Sequence, residues 1–210
     1  YTTNFRLWEA QFLPIGANSY WTLHPGKFRP YEGMDAEEFV ELEIKVLPQF
    51  KLVTFPQNGQ TMSVLTRVIE EREWIDGELV EVSRNYFSRD LLTRNVYYFG
   101  EDVDIYENGK IVSHDGAWLA GVNGAKPGLM MPSLYLLGSR YFQEIAPGVA
   151  MDRGEHTQMG LTVTTPAGTF TNCVIVSETT PLEPGHVSIK TYAPKVGLIK
   201  DGAVSLVEYN

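Results

Sequence analysis

Apolar and polar side chains alternate along most of the chain, a pattern that predicts β-strands rather than helices. The segments with the clearest period of two are rich in Val, Ile, Thr, Tyr and Phe, which fit a pleated, half-buried surface. These segments read MSVLTRVI, ELVEVSRNYF, LTVTTPAGTFTNCVIVSE and HVSIKTYA. We therefore predict that strands greatly outnumber helical residues.

Turn signals separate these segments at short intervals. Asn-Gly and Asp-Gly dipeptides favour two-residue hairpin turns, because both residues accept a positive φ. They occur at Asn58-Gly59, Asp76-Gly77, Asn108-Gly109, Asn123-Gly124 and Asp201-Gly202. The chain is therefore expected to be all-β, a single antiparallel barrel or strongly curved sheet built from hairpins.

The amino-terminal quarter is harder to assign. Asp35 and the acids that follow it would suit the start of a helix over 35–47, but Val40, Leu42, Ile44 and Val46 alternate with polar residues, so we favour a strand from Phe39 to Leu47. Prolines are frequent in this quarter and are typical of irregular edges. We expect one domain over 1–210, with 1–35 as an irregular amino-terminal segment.

Composition excludes several classes of function. The 210 residues carry a net charge of −9 and contain no run of Lys or Arg, which argues against nucleic acid and anionic lipid as partners. No apolar stretch approaches the ~20 residues of a membrane-spanning helix. Cys173 is the only cysteine, lies in an alternating segment and is expected to pack as a small hydrophobic residue. Nucleotide-binding glycine motifs and the serine hydrolase elbow do not occur in the sequence.

The hairpin around Asp76-Gly77 offers a first candidate site. A regular two-residue turn would place Arg72 opposite Glu81, on the face that also carries Trp74. That face is either a solvated outer surface or a charged barrel interior that holds a polar group of a ligand. In the second case we expect the ligand-binding residues to include Arg72, Trp74 and an aromatic wall of Tyr86, Tyr98 and Trp118.

The segment RNVYYFGEDVDIYENGK changes abruptly from aromatic to acidic residues. A hairpin at Asn108-Gly109 would place Asp102, Asp104 and Asp115 on one side, where they either face water or bind a hard cation such as calcium through their oxygen atoms. We favour water, because the dense Asp/Asn/Gly spacing of a calcium-binding loop is missing. The aromatic-to-acidic change then marks a strand that leaves the core.

A second cluster of titratable residues lies in VAMDRGEHTQ. Asp152, Glu155 and His156 could converge with Glu101 at the mouth of a barrel, where they would supply an acid and a base for catalysis. A solvated loop is the alternative. The four histidines show no two-histidine metal spacing, so neither a zinc site nor another metal site is supported, and no cofactor is expected.

Several longer motifs carry a resemblance that covers about Asn18 to Lys200. They read NSYWTLHPG, YYFGEDVDIYENGKIVSHDGAWLAGVNGAKPGLMMP, YFQEIAPGVAMD and TPLEPGHVSIKTYAPKVGLIK. As a set they resemble a family of uncharacterised bacterial extracytoplasmic β-rich proteins, and TYAPKVGLIK resembles more weakly the end of lipoprotein-carrier-like half-open barrels. Ser19, where a proline is common, departs from the pattern, as does the glycine-free loop Asp90 to Asn95.

The resemblance implies an exported protein, periplasmic or secreted, and the start at Tyr1 instead of Met is compatible with a processed amino terminus. We expect it to bind a small apolar or amphipathic molecule in a barrel cavity. An acid/base enzyme of the hydrolase, lyase or isomerase type that uses the same cavity is the alternative. A structural or interaction module of the cell envelope is the third hypothesis.

Overall fold

Hairpin connections organise nearly the whole chain. The computed structural model describes residues 1–210, and apart from one 3₁₀ turn at Leu7–Glu9 every regular element is a strand. The strands are β1 (Phe12–Leu13), β2 (Phe28–Asp35), β3 (Glu38–Gln57), β4 (Gln60–Ile75), β5 (Glu78–Asp90), β6 (Val96–Glu107), β7 (Lys110–Ser113), β8 (Trp118–Leu119), β9 (Lys126–Met131), β10 (Arg140–Phe142), β11 (Glu144–Ile145), β12 (Arg153–Thr165), β13 (Gly168–Thr179), β14 (Ser188–Ala193), β15 (Gly197–Asp201) and β16 (Val204–Leu206).

The strands form one antiparallel sheet that curls into a nearly closed barrel. Its path runs β10-β12-β13-β14-β15-β16-β2-β3-β4-β5-β6-β9-β11, with the short strands β1, β7 and β8 paired to its margin. The two ends of the path, β10 and β11, are separated along the chain by the single residue Gln143. The chain itself therefore bridges the two ends of the sheet at this point.

The predicted fold class is confirmed. Strand β3 includes 39–47, so the alternation in that segment decided its structure and the acids after Asp35 did not start a helix. The irregular amino-terminal segment is shorter than expected, because Phe28–Asp35 forms β2. Cys173 is fully buried on β13, where it packs in the core as expected.

Four of the five turn signals join paired strands, and two registers differ from expectation. The turn at Asp201-Gly202 is displaced by one residue, because Asp201 itself pairs with Val204, and Asn123-Gly124 lies in an irregular connection. A bulge between Glu73 and Trp74 places Arg72 opposite Val82, so the predicted pairing of Arg72 with Glu81 is wrong.

A second bulge lies between Ile105 and Tyr106 and places Ile105 opposite Ser113. The sequence contains no signal for either bulge, because an extra residue leaves the alternation on each side intact.

The hydrophobic core is a single cluster of buried side chains. Its largest fully buried side chains include Tyr31, Phe87, Phe99, Tyr192 and Ile199. They come from strands far apart in sequence, so the core forms only when the sheet has curled. No helix is long and apolar enough to cross a membrane.

Barrel closure should be sensitive to any side chain at residue 128. A Cβ atom on Gly128 would lie 2.4 Å from the carbonyl oxygen of Gln143, at the chain crossing between β10 and β11. We expect Gly128→Ala to lower the free energy of unfolding by about 2 kcal/mol or more, since backbone must move. Chemical denaturation measures the change.

Gly124 provides the control for this substitution. It has a φ of +80° with open space around its Cβ position, and Asn tolerates this conformation, so Gly124→Asn should cost less than about 1 kcal/mol. Equal effects of the two substitutions would contradict the close packing proposed at the crossing.

Candidate ligand-binding cavity

A cavity of about 210 Å³ lies inside the barrel and receives side chains from most of its strands. It would hold about seven water molecules at liquid density. Its wall combines carboxyl groups, cations, amides and aromatic rings. The polar residues are Arg29, Glu71, Glu81, Ser83, Asn85, Glu101, Gln143, Glu144, Asp152, Glu178, Lys190 and Asp201, and the aromatic residues are Tyr20, Trp21, Phe87, Tyr98, Trp118 and Tyr192.

The period of two along neighbouring strands places these groups on one face of the sheet. On β4, Ile69 and Glu71 line the cavity, whereas the intervening Glu70 pairs with Arg72 and Arg84 outside it. On β5, the residues that line it are Glu81, Ser83, Asn85 and Phe87. The inner face of β5 thus changes from acidic to aromatic along one strand.

Lys190 on β14 joins two of the carboxyl groups. Its Nζ lies 3.2 Å from Glu178 Oε2 and 3.3 Å from Asp201 Oδ2, and Gln143 Nε2 donates to Glu178 Oε1 at 2.6 Å. Burial alone would lower the pKa of Lys190, but these two carboxylates raise it above its usual value. Lys190 therefore stays charged and holds three strands together at the cavity wall.

The carboxyl groups of Glu71 and Glu101 have no ion-pair partner. Burial raises the pKa of Glu71 to about 7 against the opposing charge of Lys190, and burial together with the charge of Glu71 raises the pKa of Glu101 to about 8. The hydroxyl groups of Tyr98 and Ser83 close to Glu101 oppose the rise of its pKa only in part. Near neutral pH both groups are thus partly protonated.

Glu144 and Asp152 lie beside each other where the barrel is bridged by Gln143. The backbone N–H of Asp152 donates to Glu144 Oε1, and Glu144 is almost fully buried. Burial, with the charge of Asp152 next, raises the pKa of Glu144 well above its usual value. A protonated Glu144 would place a hydrogen-bond donor as well as an acceptor at this wall.

Aromatic rings form the other side of the cavity. Phe87 stacks on Tyr98 with ring centroids 4.7 Å apart, and Tyr98 meets the Trp118 ring edge-on at 5.0 Å. The Tyr98 hydroxyl donates to Asn85 Oδ1, which fixes the ring. This packing gives the cavity a rigid apolar wall.

Two buried polar side chains of the wall lack a complete set of partners. Trp118 is 6% exposed, and its indole N–H donates to no protein atom. Arg29 is 7% exposed, and although its Nη1 donates to the carbonyl oxygen of Val196 at 2.9 Å, its Nε has no acceptor. Buried donors are almost always satisfied, so two unsatisfied donors are unusual for residues of a cavity wall.

A more open depression on the outside shares wall residues with the cavity. Asp152, Glu178, Lys190 and Asp201 line both spaces, so the lysine-centred ion pairs lie between them. The outer depression is edged by residues of the connection from β13 to β14, 180–187.

Four of the nine residues predicted for a site line the cavity. These are Glu101 and Asp152 among the predicted catalytic residues, and Tyr98 and Trp118 among the predicted ligand-binding residues.

The other predicted ligand-binding residues lie elsewhere. Arg72 is exposed outside the barrel, and Trp74 borders a shallow surface depression. Tyr86 is buried, but its hydroxyl donates to Asp102 on the side of β5 away from the cavity.

Glu155 and His156 do not converge with Glu101. Glu155 pairs with Arg140 at 2.7 Å, away from the cavity. His156 is buried and stacked on Tyr135 with ring centroids 3.8 Å apart.

The ring nitrogens of His156 are both satisfied within the protein. Nε2 lies 3.0 Å from the Tyr141 hydroxyl and Nδ1 lies 3.1 Å from the Leu136 carbonyl oxygen, so a neutral ring with its proton on Nδ1 satisfies both contacts. Burial lowers the pKa of His156 to about 4, which keeps the ring neutral. Its role in this arrangement is structural.

The acidic patch of the β6 hairpin is held by protein groups. Asp102 accepts from Tyr86, while Asp104 accepts from Arg84 Nη1 at 3.0 Å and lies 3.0 Å from His114 Nδ1. No group of three or more His, Cys, Asp or Glu residues is arranged to hold a metal ion.

Most of the cavity's charged residues were missed by the sequence analysis. They are Arg29, Glu71, Glu144, Glu178, Lys190 and Asp201, whereas Glu81 had been considered only as the partner of Arg72. On β4 the sequence did contain a signal. Glu71 lies two residues after Ile69, so alternation along the strand places both side chains on the same face. Glu144, Glu178 and Lys190 gave no such signal, since their grouping depends on how distant strands pair.

Comparison with protein-family models, with curated proteins and with solved structures finds no match to this chain. The cavity's geometry and chemistry therefore carry the functional argument.

The buried acids make stability depend on pH in a direction that can be measured. The pKa of Glu71 is raised to about 7 from its usual 4.5, so the stability associated with its protonated form is complete below pH 4.5 and is lost as the pH rises toward 7. Glutamine imitates the protonated acid at every pH. We expect Glu71→Gln to be more stable than wild type by about 3 kcal/mol at pH 8, with little difference at pH 4.

Glu70 is the matched control on the outer face of the same strand. It already pairs with Arg72 and Arg84, so Glu70→Gln should give no stabilisation that grows with pH. Denaturant unfolding of both variants at pH 4, 6 and 8 makes the comparison. A pH-independent effect of Glu71→Gln would contradict the burial of this carboxyl group.

Proposed function

We propose that this protein binds a small amphipathic molecule inside its barrel. The observation that carries the proposal is a cavity with two unlike sides, a rigid aromatic wall and a polar wall with unsatisfied buried donors. Ligand sites commonly combine apolar surface with a few convergent polar groups. The volume of about 210 Å³ suits a molecule of about seven to ten non-hydrogen atoms.

The chemistry of the wall favours binding over catalysis. No histidine or cysteine lines the cavity, so the most versatile proton-transfer side chain and the strongest nucleophile are both outside it. Tyr98 is held between Phe87 and Trp118 and is hydrogen-bonded to Asn85, an arrangement that fixes a surface for contact.

Acid/base catalysis is the second candidate, and one observation favours it. Glu101 has a pKa raised to about 8 and lies in a cavity beside Tyr98, which is the environment of a general acid or base at neutral pH. Turnover of small esters, lactones or epoxides that is abolished in Glu101→Gln would establish this function. Binding without turnover supports a carrier.

We also propose an extracytoplasmic location, which is supported by the motif resemblance alone. Fractionation of cells that express the native gene tests it. Recovery of the protein from the cytoplasm would reject it.

Binding can be tested with small probes that differ only in charge. Tyramine, tyrosol and 4-hydroxyphenylacetate share a phenol ring and carry an amine, an alcohol and a carboxylate respectively. We expect saturable binding of at least one probe, measured by titration calorimetry and by quenching of tryptophan fluorescence. Because Trp118 lines the aromatic wall, Trp118→Ala should weaken this binding at least about tenfold.

Trp74→Ala is the matched control, since Trp74 borders a separate surface depression. It should leave the affinity unchanged. Failure of all three probes to bind, or equal effects of the two tryptophan substitutions, would contradict binding in the cavity.

A further inference from the structure

The cavity holds many more acids than bases. Seven carboxyl groups line it, together with two cationic side chains, Lys190 and Arg29. We propose that its ligand is a small organic cation, an amine or a guanidine on a short apolar body. This inference rests on the proposed binding function and specifies the ligand's chemical class.

The two cations of the wall are already engaged. Lys190 lies between Glu178 and Asp201, and Arg29 donates to the carbonyl oxygen of Val196. The remaining carboxyl groups of the cavity form no ion pair within the protein. They are Glu71, Glu81, Glu101, Glu144 and Asp152, contributed by β4, β5, β6, β11 and the connection before β12. A positively charged group in the cavity would supply the missing partner.

A second, independent observation points to an occupant. The indole N–H of Trp118 and the Nε of Arg29 are both buried in the wall without an acceptor. The orphaned donors would be satisfied by an oxygen atom on the ligand. The aromatic rings that line the cavity would contact the apolar body of the ligand, and any ring face open to the cavity would attract its cation through the ring quadrupole.

Other charge classes fit this wall less well. An anion would enter a space where seven carboxyl groups face two cationic side chains, Lys190 and Arg29. A bare metal ion lacks a binding site, because no three carboxyl groups converge on one point. An extended organic cation can instead meet carboxyl groups that are spread around the wall.

Proton release on ligand binding can be measured, and a carboxyl group with only a structural role would not produce it. At neutral pH the raised pKa values of Glu71 and Glu101 leave these groups partly protonated, and an incoming cation would favour their charged forms. Binding of a cation should therefore release protons. The titratable groups that face the cavity are Tyr20, Arg29, Glu71, Glu81, Tyr98, Glu101, Glu144, Asp152, Glu178, Lys190, Tyr192 and Asp201.

The test compares the three phenol probes by titration calorimetry at pH 7.5. We expect tyramine to bind at least about tenfold more tightly than tyrosol, and 4-hydroxyphenylacetate to bind most weakly. Titrations in phosphate and in Tris, which differ in ionisation enthalpy, report the protons exchanged. Tyramine should release protons, whereas tyrosol should release none.

Variants locate the effect in the cavity. Glu71→Gln and Glu101→Gln should each reduce the preference for tyramine over tyrosol and reduce the proton release. Glu70→Gln, which changes a carboxylate on the outer face, should alter neither quantity.

The outcomes separate the two proposals. Tyrosol binding that equals or exceeds tyramine binding and is lost in Trp118→Ala would overturn the cation inference and leave ligand binding in place. Absence of binding by all three probes would overturn both. The inference would also be overturned if Glu71→Gln and Glu101→Gln kept the preference for tyramine and no protons were released. That result would show that the net negative surface attracts tyramine.

Discussion

Desolvation of carboxyl groups is the constraint on which the rest of this structure depends. An ionised carboxylate taken from water into a barrel loses solvation that only a nearby cation, a set of donors or a proton can replace. The protein uses all three. Lys190 pairs with Glu178 and Asp201, the backbone of Asp152 donates to Glu144, and protonation is favoured at Glu71 and Glu101 by their raised pKa.

The barrel is built so that these groups must face one another. Strict alternation on β4 separates Glu71 inside from Glu70 and Arg72 outside, and the bulge between Glu73 and Trp74 sets which residues of β5 lie opposite. At the far side Gln143 bridges the sheet ends and donates to Glu178. The same chain crossing that closes the barrel therefore takes part in the polar network, which links fold stability to the proposed ligand site.

Alternation and turn dipeptides were sufficient to predict the fold class, because both are local properties of the chain. Tyr98 and Glu101 both line the cavity although they are three residues apart, because an extra residue on β6 opposite Asn85 and Phe87 interrupts the alternation. Arg72 was misplaced because a bulge shifts the register without changing the pattern on either side.

Residues grouped into one site because they are adjacent in sequence were poorly predicted. Glu155 and His156 are adjacent on β12, so one pairs with Arg140 outside the cavity while the other is buried against Tyr135. Glu144, Glu178 and Lys190 meet only after distant strands have paired, and the sequence carries no local signal for that meeting.

The central claim is that carboxyl groups inside the barrel are poorly hydrated and have too few positive charges nearby. Carbon-13 NMR titration of the glutamate side-chain carboxyl groups, assigned through Glu71→Gln and Glu101→Gln, measures this directly. The account predicts midpoints near pH 7 for Glu71 and near pH 8 for Glu101 in the ligand-free protein. Ordinary midpoints near 4.5 for both groups would show a solvated cavity and would contradict the account.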